Sequence, residues 1–147
     1  MEDLERYLNE IVDPVVADFG RNRTSVRHAF VACVVTFHSV DYLTFPRKSR
    51  IKREEFGAAS ADFALVDDVA HAFKHVVSGN PKKRQLKSFD VRARPPAVAG
   101  VMVAGLSRVG DVVGGVGLVD DPTIDLFEIV TRAVAFLRQQ TNRPEIA

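Results

Sequence analysis

One cysteine, no apolar run of bilayer length and no recognisable phosphate loop define this 147-residue chain before anything it contains does. A lone Cys33 excludes an internal disulfide and a thiolate-rich zinc or iron–sulfur centre. Its neighbours, Phe30-Val31-Ala32-Cys33-Val34-Val35, suit a buried inert thiol better than a nucleophile. The longest apolar runs fall far short of about 18 residues, so no membrane contact is expected. The opening MEDLERYLNE is acidic where an export signal needs a basic start and an apolar stretch, and cytoplasmic residence is the expectation by elimination. The glycine-rich segment 110–117 matches neither GxxxxGKS/T nor GxGxxG, so it reads as turn and strand geometry and no cofactor is expected.

What the chain does have is apolar content and patterned charge. Leu, Ile, Val and Phe are too plentiful for a disordered chain, and the length suits one domain spanning 1–147. The net charge of +1 hides a local −5 over residues 1–20 and +8 over residues 21–94. The basic segments 47–53 and 82–94 are therefore candidate contacts for RNA or a nucleotide, or else plain solvated loops. They lack the interleaved aromatics of a base-stacking surface, with only Phe45, Phe56 and Phe89 nearby.

Helical periodicity organises most of the chain. Leu4, Leu8, Ile11, Val15 and Phe19 make one helix face over residues 2–19, which Pro14 either kinks or splits. Thr24 or Ser25 caps a nearly all-apolar helix running to about Phe45, with stripes Val31, Val35, His38, Tyr42, Phe45 and Phe30, Cys33, Phe37, Asp41. Pro46 ends it, and Arg47 to Arg53 read as an exposed basic link. A second apolar helix starts at Ser60 or Asp62 and runs to Val77, closed by Gly79-Asn80-Pro81. In residues 88–119 prolines and glycines disfavour long helices, leaving a hairpin built from 98–103 and 112–119, or a short helix over 97–107. Asp121-Pro122 reads as a cap for a last helix over 122–140, with Leu126, Val130, Ala133 and Leu137 on one face and a polar tail beyond. The expected fold is mainly α: a bundle of four or five helices with a small irregular or β-hairpin insertion at about 95–119.

All four histidines fall in the apolar helices. Asp67, His71 and His75 recur at intervals of four, on the narrow polar arc of theirs. That spacing suits part of a metal shell, a base with its orienting carboxylate, or ordinary polar-face residues. Two histidines do not complete a metal shell, HExxH is absent and Lys74 beside the pair opposes a cation, so ordinary polar-face or core histidines outweigh metal binding. His38 and Asp41 lie three apart on the other helix, where His38 is expected to be buried. Were the two helices to pack together, these five residues would meet across the contact in a mixed imidazole and carboxylate site. A third constellation, Arg21 to His28, places an arginine and a histidine by a helix start, where a phosphate can be held, unless the segment is merely a solvated link.

The segment Ser25 to Leu43, with Arg21, Asn22 and His28 before and within it, resembles the long apolar helix of HEPN-type helical bundles. Many members of that superfamily cleave RNA without a metal, through an arginine, a polar residue and a histidine a few residues on. The resemblance implies Arg21 and His28 as an RNA-cleaving pair in an open groove at a dimer seam. Three functions therefore stand side by side: a binding or structural protein that self-associates, a HEPN-like ribonuclease or nucleotide-binding module, and a His/Asp metal or acid–base site. A homo-oligomer is expected, because the two most apolar helices leave little solvated surface in a monomer.

Overall fold

A computed structural model describes residues 2–77 and 85–141. It shows a mainly α bundle of five helical rods with a small two-stranded antiparallel hairpin inserted before the last.

The first rod begins as α1 (Glu2–Tyr7), with Glu2, Asp3 and Glu5 at the positive end of its dipole. It passes through one π turn, Leu8–Val12, and continues as α2 (Asp13–Arg21). Pro14 has no N–H to return to the preceding turn, and the amide of Asp13 reaches back to the carbonyl of Leu8. The rod therefore neither breaks nor keeps a single α register. Leu4, Leu8, Val12 and Phe19 are fully buried, whereas Ile11, expected inside, is 44% exposed. The extra residue of the wide turn has rotated Val12 into its place.

Helix α3 (Val26–Thr44) starts at Ser25, whose hydroxyl accepts the amide of His28 at 3.3 Å. Its most buried face includes the small side chains Ala29, Ala32, Cys33, Thr36 and Ser39, which let neighbouring helices approach closely. Of the two stripes expected to pack, Phe30 and Cys33 are buried, whereas Val31, His38, Tyr42 and Phe45 of the other are exposed.

The basic link is in part a helix, α4 (Arg50–Ala59), against the expectation of a loop. Arg50 pairs with Glu54 at 3.2 Å and Lys52 with Glu55 at 2.7 Å, spacings that support a helix with little apolar surface. Phe56 is its one buried residue, edge-on to Phe63 and Phe136. Ser60 then caps α5 (Ala61–His75), accepting the amide of Phe63 at 3.1 Å. Phe63, Val66, Val69, Ala70 and Ala72 are buried, and Val76 ends the helix at φ 68°. The expected turn Gly79-Asn80-Pro81 and the cluster Lys82, Lys83 and Arg84 lie outside the described residues, as does the tail from 142.

The hairpin pairs β1 (Val91–Arg94) with β2 (Gly115–Leu118), Val91 opposite Leu118 and Arg94 opposite Gly115. Only the second strand overlaps the expected ones. Residues 98–103 are turns, because Gly100 and Gly105 take φ near +80° and leave Val101, Met102 and Val103 in solvent. Arg94, expected among solvated basic residues, is 7% exposed; it donates to Asp111, to the carbonyl of Ile124 and, at 2.9 Å, to Asp125. Asp125 in turn accepts the amides of Phe127 and Glu128, which makes it the cap of α6 (Leu126–Thr141) in place of Asp121. The expected face Leu126, Val130, Ala133 and Leu137 is buried. Helix α5 packs between α3 and α6, so the two most apolar segments do lie against each other. Among the described residues no helix is long and apolar enough to cross a membrane.

Candidate functional site

The contact between α3 and α5 draws most of the candidate residues to one place. On α3, His38 Nδ1 lies 2.8 Å from a carboxylate oxygen of Asp41, three residues on. The two side chains are 47% and 49% exposed, so His38 is not the buried residue expected from its apolar neighbours. Small residues occupy the inward stripe and leave His38 at its edge. On α5, His71 Nδ1 lies 2.9 Å from the Asp67 carboxylate and also 2.9 Å from the Asp67 carbonyl. His75 follows one turn later, its ring 6.2 Å from that of His71.

Phe37 joins the two helices. Its ring meets His38 edge-on at 5.1 Å and His71 edge-on at 5.0 Å. The guanidinium of Arg53, from α4, lies 4.8 Å from the same ring, and its Nε is buried without a hydrogen-bond partner. Burial works against the charge on Asp41, yet hydrogen bonds from Ser49 and His38 and the nearby Arg53 outweigh it and hold the carboxyl below its ordinary range. Three helices thus assemble two imidazoles, His38 bonded through Nδ1 to a carboxylate and His71 through Nδ1 to the Asp67 carbonyl with that residue's carboxylate beside it, next to a cation from the basic segment 47–53. A carboxylate on Nδ1 orients the ring and leaves Nε2 as the nitrogen that can exchange a proton with a substrate. Among the described residues no group of three or more His, Cys, Asp or Glu side chains is placed to hold a metal ion.

The other candidates stay apart from this cluster. Arg21 pairs with Asp18 on its own helix, and His28 Nδ1 lies 2.7 Å from the Ser25 hydroxyl; no described contact joins the two. In the segment 82–94, Arg92 donates to the carbonyl of Phe89 and Lys87 lies near the Phe89 ring, while Arg94 is internal.

A concavity of about 470 Å³ opens between α1 and α3, away from His71 and His75, and was not legible in the sequence. Tyr7 and Tyr42 stack at 4.0 Å with planes 16° apart, and the Tyr7 hydroxyl donates to the carbonyl of Val35 at 3.0 Å. Burial pushes the Tyr7 hydroxyl up to about 12, helped by Tyr42 and the negative charge of Asp41. Asp41 lines this cavity as well as holding His38. Thirty-five positions separate the tyrosines, so no local pattern announces their contact.

Comparison with family models, with curated proteins and with solved structures returns no match to this chain.

Proposed function

We propose that the domain is a metal-independent phosphodiester-cleaving module acting on RNA, with His38 and His71 as its proton-transferring pair. The observation that carries this is the placement of two imidazoles, each fixed at Nδ1 by a hydrogen bond within its own helix and each beside a carboxylate, against the single ring of Phe37. One imidazole, neutral, takes the proton of a ribose 2′-hydroxyl as that oxygen attacks phosphorus. The other, protonated, gives its proton to the departing 5′-oxygen, leaving a 2′,3′-cyclic phosphate and a 5′-hydroxyl. Arg53, whose guanidinium lies by the same Phe37 ring, supplies the positive charge that a phosphorane needs. The resemblance of residues 21–43 to HEPN-type helices supports RNA as the substrate class, although the catalytic pair proposed here is not Arg21 and His28. His75 stands beside His71 as a positioning residue.

Single-stranded RNA incubated with the full chain in EDTA tests the proposal. Cleavage to cyclic phosphate ends is expected, with DNA untouched and about 100-fold loss in His38→Ala and in His71→Ala. Intact RNA, or cleavage by either variant as fast as by the unsubstituted chain, would overturn it.

A further inference from the structure

We propose that the cavity between α1 and α3 binds a small organic ammonium cation. This inference stands on the lining of the cavity and does not require the reaction above.

Charge selects the sign of the ligand. Asp3 and Glu10 approach from the first rod and Asp41 from α3, against the single cation Arg6. Arg6 is held by Glu10 at 3.0 Å, so the negative excess of the wall rests on Asp3 and on Asp41, whose charge is shared with His38 and Arg53 behind it. The negative charge of Asp41 already reaches the Tyr7 hydroxyl inside. An anion would meet repulsion here, and a neutral apolar molecule would leave the carboxylates without use.

Size and surface select its kind. A space of about 470 Å³ is that of a small-molecule site and far exceeds a bare metal ion. Its other wall is apolar and aromatic: the stacked tyrosines, Phe45, which is 85% exposed, and Ile11. Ring faces attract organic cations, whose alkyl groups also bury against them. Leaving Phe45 and Ile11 in water without an occupant is unfavourable, and an alkylammonium group covers both while meeting the carboxylates. Glu10 and Ile11 both belong to the π turn, so the widened turn itself builds this wall.

The two residues of the stack are the chain's only tyrosines and there is no tryptophan, so intrinsic fluorescence reports on this cavity alone. The full chain is titrated with choline and with tetramethylammonium, against the neutral isostere 3,3-dimethyl-1-butanol and sodium chloride of equal ionic strength. A saturable change with both ammonium salts and with neither control is expected. Asp3→Asn combined with Asp41→Asn should weaken choline binding about tenfold or more by removing coulombic attraction, with the helical circular dichroism unchanged. Tyr42→Leu, followed through the remaining Tyr7, should weaken it about threefold or more. No response to either ammonium salt, an equal response to the alcohol or to sodium chloride, or undiminished affinity in the folded double variant would each overturn the inference.

Discussion

Arg94 and Asp125 form a buried ion pair at 2.9 Å across 31 residues, joining the first strand of the hairpin to the cap of α6. Their side chains are 8% and 6% exposed, and Arg23 reaches the second oxygen of Asp125 at 3.1 Å. The insertion is thus fastened to the bundle at the point where the last helix starts.

Removing the arginine leaves Asp125 with Arg23 and two helix amides and Asp111 with two amides, each having lost the buried cation it pairs with. Arg94→Met should therefore cost about 3–5 kcal/mol, measured as a lowered midpoint in urea unfolding followed by circular dichroism. An unchanged midpoint would mean that the pair contributes no stability.

The Asp111 carboxylate accepts the amides of Val113 and Gly114, at 3.1 and 2.8 Å, and a donor from Arg94 at 3.2 Å. Burial raises its pKa, but these bonds outweigh burial and hold the folded carboxyl below its ordinary value. A depressed folded value adds stability that is present above the unfolded value, about 3.9, and is lost as pH falls through the folded one. Stability should thus decline below about pH 4, and Asp111→Asn should flatten that decline while lowering stability at pH 6. Urea midpoints at pH 6 and pH 3 for both chains provide the check.

Gly114 and Gly100 share a positive φ, 74° and 81°, but not a surrounding. A methyl at Gly114 would lie 2.6 Å from the carbonyl oxygen of Arg94, whereas one at Gly100 meets nothing within 4 Å. Gly100→Ala should cost only the conformational strain, about 1 kcal/mol. Gly114→Ala adds a backbone clash and should cost roughly 3 kcal/mol, so thermal melting of the two variants separates strain from crowding.

Burial pushes the Cys33 thiol up to about 12 and leaves it no exposed surface. Native protein should resist a thiol reagent such as dithionitrobenzoate at pH 8, and full reaction should appear only in denaturant. Rapid labelling of the native chain would place Cys33 at the surface instead.

Sequence patterning reported best where one local interaction governs. Ser25 and Ser60 are followed by long apolar segments, and both cap helices where expected. Helix α4 was hidden because a helix held by Arg50–Glu54 and Lys52–Glu55 buries only Phe56 and shows no stripe. The hairpin was misplaced because hydrophobicity stood in for burial: Val101 and Met102 are exposed, while the first strand buries only its ends, Val91 and Arg94. Of the site, spacing revealed the partners within a helix, Asp41 for His38 and Asp67 for His71. Their joining through Phe37, the addition of Arg53 and the stacking of the tyrosines depend on how separate helices pack, which periodicity does not encode.

The π turn divides the first rod into two halves with separate alignments. Tyr7, before it, faces Tyr42 on α3, while Phe19, after it, meets Phe127 on α6 at 5.6 Å. Deleting one residue from Leu8–Val12 to restore a plain α-helix would turn one half against the other by about 100°. Both aromatic contacts could not then persist, so a rod of ideal helical geometry would be incompatible with keeping the tyrosine stack and the α6 contact together.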